Sequence, residues 1–267
     1  MGGAGGRSIR RLIIPTIVQT IGLTLYGKEP PTAQLLAYLR QKRLLLVLDN
    51  VEHLPGVAEL IAALLPGAPD VTFLVTSRQR LDLREEWLYA LEGLPYGSAL
   101  AAADEAAQLF IRSVQRAYRS FAPTPADWQA VAAICRLVEG MPLALELAAV
   151  WVPDLSCAAV AHALADDMAL LTASWRNAPE RQRSVQATFE HSWALLPAAE
   201  RLFFARLALF RGGFAGLAAA QVADAAPPVL ARLAAKSLLR RVGDGRYQLH
   251  ELLRQFAADK LATYPGE

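Results

Sequence analysis

The segment LLLVLDNVEHL, residues 44–54, decides the fold. Five consecutive aliphatic residues, Leu44 to Leu48, stop at Asp49 and Asn50. A run of this length bounded by turn formers suits a strand buried on both faces, as in a parallel sheet covered by helices. VTFLV at 71–75 repeats the pattern, and WLYAL at 87–91 repeats it more weakly. Between the first two runs, AELIAALLPGAPD (58–70) sets Leu60, Ala63 and Leu64 on one helical face and ends on Pro66, Gly67 and Pro69. Strand, helix and strand are therefore expected to form a right-handed crossover unit.

An open α/β sheet presents the carboxyl ends of its strands to the ligand crevice. Asp49 falls at such an end. A carboxylate there suits Mg²⁺ bridging phosphate oxygens, because a hard cation prefers carboxylate and water ligands. It equally suits a cap on the following loop or helix, and the two readings stay open on this run alone. In VTFLVTSRQRL (71–81), Thr76, Ser77 and Arg78 reach the same edge. The guanidinium fork of Arg78 matches a terminal phosphate; the plainer alternative is a solvated arginine at a helix start.

The chain has 267 residues, 54% of them hydrophobic, enough for one large domain or two to three small ones. Charged residues interrupt every apolar run before the roughly 18 residues that a membrane span requires. The opening MGGAGGRSIRR lacks an apolar signal core, so a cytoplasmic location is expected. Cys135 and Cys157 show neither CxxC spacing nor a histidine at metal-ligand distance, which leaves them as core fillers. A net charge of +2 is too slight to demand a polyanionic partner.

Three segments follow from the patterning. Residues 1–97 read as an α/β layer. Over 98–180 the strand signal gives way to apolar residues every three or four positions, as in AAQLFIRSV, WQAVAAICRLVEG and ALELAAVWV, which spells a helical bundle. Residues 181–267 read as helices, then LLRRVGDGRYQLH with an Asp244-Gly245 hairpin turn, then a last helix, the order of a winged-helix unit.

LLLVLDNVEHL, LVTSRQRL, ICRLVEGMPLALELAAVWV and YQLHELLRQFA occur in the order and approximate spacing seen in signal-transduction ATPases with numerous domains, the NB-ARC-like ATPases of bacterial transcriptional regulators. The chain resembles that family over nearly its whole length after residue 10. The resemblance implies a partial P-loop-NTPase-type parallel sheet with helices, followed by the helical bundle and the winged-helix domain. It implies ATP or ADP with Mg²⁺ as cofactors. Asp49 resembles the magnesium-binding Walker B acid, and Arg78 the arginine that monitors the γ-phosphate. EGMPLAL resembles the GLPLAL motif, in which Pro142 packs against the nucleotide base. LHE at 249–251 resembles the MHD triplet, in which His250 touches the β-phosphate of ADP. Asp49, Arg78, Pro142 and His250 are then expected around one nucleotide-sized hollow.

The chain departs from the family in one large respect. A P-loop needs G-x-x-x-x-G-K-[ST] between a strand and a helix, and the nearest match, GLTLYGKE (22–29), puts Glu29 where Mg²⁺ needs a hydroxyl and is followed by Pro30 and Pro31. TIVQTIGL (16–23) aligns with a family segment downstream of the P-loop. The chain therefore reads as lacking that N-terminal portion, and either the missing segment or a partner chain is expected to cover the exposed sheet. Asn50 cannot accept a proton where many such ATPases carry a second acid. Glu52 is the substitute candidate, so slow or no hydrolysis is expected. A C-terminal repeat sensor, usual in the family, is expected only in a longer protein.

The function expected is a nucleotide-dependent regulatory switch core. Two alternatives stand beside it: winged-helix DNA binding through Arg232, Lys236, Arg240, Arg241 and Arg246, which the nearby acids Asp244, Glu251 and Asp259 offset, and a protein-interaction scaffold that binds no nucleotide. No DNA contact and no membrane partner are expected.

Overall fold

The computed structural model describes residues 5–54, 56–98, 101–167, 170–171, 184–224, 226–243 and 245–264. The chain divides into two compact units, Met1–Tyr89 and Ala90–Glu267. Each has its own core, with no buried residue shared between the two clusters.

In the first unit, helices α1 (Gly5–Thr20) and α2 (Pro31–Leu39) precede strand β1 (Leu44–Leu48), helix α3 (Val57–Leu64) and strand β2 (Val71–Val75). The strands pair parallel, in register from Leu44↔Val71 to Leu48↔Val75. Parallel neighbours need a crossover connection, and α3 supplies it. The helix starts after Gly56 at φ +88°, a conformation that suits glycine. It buries Val57, Leu60, Ile61 and Leu64. Ala63, expected on the same face, is exposed, and Ile61 takes its place.

The two-faced burial expected of the strands holds on one face only. Leu46 belongs to a single buried cluster with Ile13, Ile14 and Ile17 of α1, Leu35 and Leu39 of α2, and the buried face of α3. On the opposite face Leu45, Val47 and Leu74 are 56%, 58% and 53% exposed. The WLYAL run forms no strand: residues 87–91 carry no regular structure, and Trp87 is 98% exposed. A strand exists through its ladder, and among the described residues this sheet consists of β1 and β2 alone.

The second unit begins with helices α4 (Glu105–Ala117), α5 (Pro125–Leu137), α6 (Pro142–Ala149) and α7 (Cys157–Asp166). Their starts follow ordinary capping chemistry. Thr124 and Asp127 form a reciprocal capping box on α5, and Ser156 caps α7. Next come α8 (Val185–Ala194), α9 (Ala198–Arg206), strand β3 (Phe214–Ala215), α10 (Gly216–Ala223), α11 (Pro227–Ala235), the hairpin β4 (Arg240–Val242) and β5 (Arg246–Gln248), and α12 (Glu251–Leu261). The expected hairpin is present, and β3 adds a third antiparallel strand, giving the order β3-β5-β4. Asp244 of its turn and the sequence boundary at 180–181 lie outside the described residues.

One continuous core runs from α4 to α12, with Phe110, Phe204 and Phe256 fully buried. Phe256 meets Phe189 and Trp193 edge-on, at 5.8 and 6.0 Å between ring centroids. Cys135 and Cys157 are free and buried, and burial pushes their thiols up to about 12 and about 11. No described helix is long and apolar enough to cross a membrane.

Candidate functional site

In the first unit the residues singled out beyond β1 and β2 form one tied group. Backbone bonds continue past the strand ends, from Thr76 N–H to the Leu48 carbonyl at 3.0 Å and from Val51 N–H to the Thr76 carbonyl at 3.1 Å. They hold the two loops side by side. Asn50 takes a left-handed conformation, φ 60°, that turns the chain after Asp49. The Thr76 hydroxyl accepts from Asn50 N–H at 2.9 Å and donates to Asp49 Oδ1 at 2.5 Å. This fixes the Asp49 carboxylate against the end of β2.

Glu52 lies in the 3₁₀ turn Val51–His53, and its carboxylate meets Arg78 Nε at 3.5 Å. The Glu52 side chain is 2% exposed and that of Arg78 30%. Glu52 and Arg78 therefore converge, with Val51 alone standing between Asn50 and Glu52. Ser77 is exposed, and its hydroxyl accepts from Gln79 N–H at 3.1 Å.

Asp49 is the carboxylate suited to Mg²⁺ here. Among the described residues no three His, Cys, Asp or Glu side chains gather as a metal cage. Mg²⁺ characteristically binds through one or two carboxylates, with phosphates and waters completing the octahedron. A single anchored Asp49 fits that pattern and does not fit a metal held by protein alone.

GLTLYGKE lies between two helices. α1 precedes it, and Pro31 opens α2 just after it. The Gln34 side chain closes the loop on itself, accepting from Tyr26 N–H at 2.8 Å and donating to the Glu29 carbonyl at 2.9 Å.

In the second unit Pro142 is the first residue of α6, where its missing N–H costs nothing. The turn before it carries Glu139 at φ 48° and Gly140 at φ 67°. That turn packs backbone to backbone against Gly93 and Leu94. Leu94 N–H donates to the Gly140 carbonyl at 2.8 Å. A Cβ on Gly93 would lie 2.0 Å from the Glu139 carbonyl oxygen, and one on Gly140 would lie 2.1 Å from that of Leu94.

His250 reaches the same turn. Its Nε2 lies 3.2 Å from the Val138 carbonyl, while Nδ1 accepts from Leu252 N–H at 3.1 Å and caps α12. A carbonyl only accepts and an N–H only donates, so the ring is neutral with its proton on Nε2. Burial pushes its pKa below the usual 6.5, against the opposing pull of Glu139, the Val138 carbonyl and Glu251. The structure thus brings His250 to the residues that lead into Pro142, and both ring nitrogens have partners within the unit.

Sequence reading passed over three features of this region. Glu139 accepts from Glu251 N–H at 3.3 Å, and Arg240 pairs with Glu92 at 2.8 Å. Glu200, 5% exposed, binds Arg232 at 2.6 Å and Lys236 at 2.7 Å. Burial alone would raise the Glu200 pKa, but the hydrogen bonds from Lys236 and Arg232 outweigh it and hold the carboxyl below its usual value. Its only signal was an acid in the first turn of a helix, which reads as a surface position. Arg246 in turn donates to the Gly213 carbonyl at 2.6 Å, and Arg241 lies over the Tyr247 ring at 5.9 Å. The basic residues considered for DNA contact therefore all have partners within the unit.

No family model matches the chain. It is 33% identical over 262 residues to a protein of Mycobacterium tuberculosis named as a candidate HTH-type transcriptional regulator, covering 94% of this chain and 29% of the relative. It is 32% identical over 277 residues to the regulatory protein AfsR of Streptomyces griseus, covering 96% of this chain and 26% of AfsR. The chain spans less than a third of the length of either regulator. Among solved structures, a signal transduction ATPase with a tetratricopeptide repeat sensor from Pyrococcus horikoshii aligns with 88% of this chain and 30% of its own, at 16% identity and a TM-score of 0.33, too low to carry an argument. The chain is thus related along nearly its whole length to bacterial regulatory proteins.

Proposed function

We propose that the chain is the nucleotide-responsive core of a bacterial regulator. It comprises an α/β portion (1–97), a helical portion (98–180) and a winged-helix portion (181–267). The observation that carries the reading is the tied group at the carboxyl ends of β1 and β2, where Thr76 anchors Asp49 and Glu52 holds Arg78. Asp49 would hold Mg²⁺ and Arg78 the terminal phosphate of ATP, with Thr76 and Ser77 lining the edge. Pro142 and His250 are the second unit's candidates for registering which nucleotide is bound. Support comes from regulatory relatives that match 94% and 96% of this chain.

Hydrolysis is expected to be slow or absent. Asn50 offers no base, and Glu52 is already committed to Arg78. Titration of the full chain with Mg-ATP and Mg-ADP, followed calorimetrically, tests the proposal. Binding is expected, with Asp49→Asn or Arg78→Ala weakening Mg-ATP by about tenfold, equivalent to about 1.4 kcal/mol. No heat from either nucleotide would remove the nucleotide reading and leave an interaction scaffold in its place.

A further inference from the structure

We infer that residues 92–96 form a strap latched by the β4–β5 hairpin: the Arg240–Glu92 ion pair holds this stretch down on the α5–α6 turn, and its loss frees the stretch as far as Gly97. Every contact involved lies within the second unit, Ala90–Glu267, and none of them depends on nucleotide binding.

The strap has anchors of unequal strength. At its inner end the Asp104 carboxylate accepts from Gly97 N–H at 2.8 Å and from Ser98 N–H at 3.2 Å, and Asp104 is only 8% exposed. A buried carboxylate with two such bonds is costly to open. In the middle, Leu94 N–H donates to the Gly140 carbonyl at 2.8 Å, the Leu94 side chain packs on the second core, and the Pro95 carbonyl accepts from Ala106 N–H at 3.2 Å. At the outer end Arg240 of β4 holds Glu92 at 2.8 Å, through side chains 55% and 68% exposed. An ion pair this wet is weak and is screened by salt. The strap therefore opens from the Glu92 end.

Its seat is bare backbone. A Cβ on Gly93 would lie 2.0 Å from the Glu139 carbonyl oxygen, so any side chain there is a wedge. Hydrogen bonds weaken steeply with distance and angle, and a wedge that lifts Gly93 breaks the Leu94–Gly140 bond. The same turn carries the Val138 carbonyl held by His250 and the Glu139 carboxylate that accepts from Glu251 N–H at 3.3 Å. The start of α12 and the strap thus share one turn, and the hairpin latches the strap to it. Release adds residues 92–96 to the loose connection that precedes them, about 17 Å of extended chain. The latch converts the position of the hairpin into the free length of that connection.

Native-state amide exchange of the full chain, followed by NMR, tests this. At low salt Arg240→Ala is expected to speed exchange of the Leu94 amide about two- to fivefold, the range that an exposed ion pair supplies, with the Gly97 and Ser98 amides unchanged. Added salt is expected to do the same to the wild type and nothing further to Arg240→Ala. Glu92→Arg and Arg240→Glu, each fast alone, restore slow exchange when combined. Gly93→Ala holds the strap off, so Leu94 exchanges fast and Arg240→Ala adds nothing in that background. A Leu94 amide unmoved by Arg240→Ala, equal acceleration at Gly97, or no recovery in the combined charge exchange overturns the inference. Should Gly93→Ala fail to fold by circular dichroism, the charge exchange decides by itself, since both of its positions are exposed.

Discussion

His250 shows how much a single ring can hold. It offers an acceptor to the first turn of α12 and a donor to the Val138 carbonyl, two tasks that only the neutral tautomer performs together. Glu139, Glu251, Arg240 and Tyr96 are the charged and titratable groups of this knot. Because burial lowers the folded-state pKa below 6.5, the unfolded chain takes up this proton first as pH falls. The stability due to His250 is therefore whole above pH 6.5 and is lost as pH drops toward and through the folded value. Urea midpoints at successive pH values below 7.5 are expected to decline, with a shallower decline in His250→Asn. An equal slope in the two proteins would show that the ring carries no such linkage. A phosphate contact by His250, as proposed above, would have to displace one of its two present bonds. The sequence made His250 conspicuous through the LHE triplet but said nothing of Val138, which lies 112 positions away.

At the scale of elements, the α5–α6 turn is held by absence of bulk. Gly140 combines a left-handed φ of 67° with a carbonyl 2.1 Å from where a side chain would begin. Gly140→Ala therefore meets two penalties, backbone strain and a clash with backbone that has no flexible end to yield. Together they are expected to cost about 2–4 kcal/mol. Thermal and denaturant unfolding of the variant measure it, and a loss under about 0.5 kcal/mol would mean that the turn relaxes freely. The proline of EGMPLAL drew attention in the sequence because it starts a helix; the glycine two residues before it is the more constrained position. Its constraint arises from Gly93 and Leu94, and a contact so distant along the chain leaves no local signature. Elements with strong local rules were legible: β1 and β2 coincide with LLLVL and VTFLV, and the last helix begins at the glutamate of LHE. WLYAL was misread because strand propensity is satisfied only when a neighbour supplies the other half of the ladder.

At the scale of the molecule, two separate cores imply two stability limits. The apolar cluster of α1, α2, α3 and the parallel strands contains no residue of the cluster running from α4 to α12. Between these sets lie Trp87, Tyr89 and Leu91, which are 98%, 88% and 86% exposed, without regular structure around them. Brief chymotrypsin treatment is expected to cut there first and leave two resistant fragments whose masses match the halves on either side. Cleavage distributed along the whole chain would contradict independent cores. The sheet-edge group was readable because its members follow two strands within a few residues each. The Glu200 knot was not, because Arg232 and Lys236 reach it only through folding of α9 against α11.

The open side of the two-stranded sheet has a practical meaning at the bench. Leu45, Val47 and Leu74 present aliphatic carbon to solvent on a surface whose other side holds the buried Leu46 and Val71. Excluded salts such as ammonium sulfate drive surfaces of this kind out of water. With a net charge of only +2 to keep molecules apart, concentrated stocks will precipitate early in a sulfate gradient and will store better in dilute, low-salt buffer.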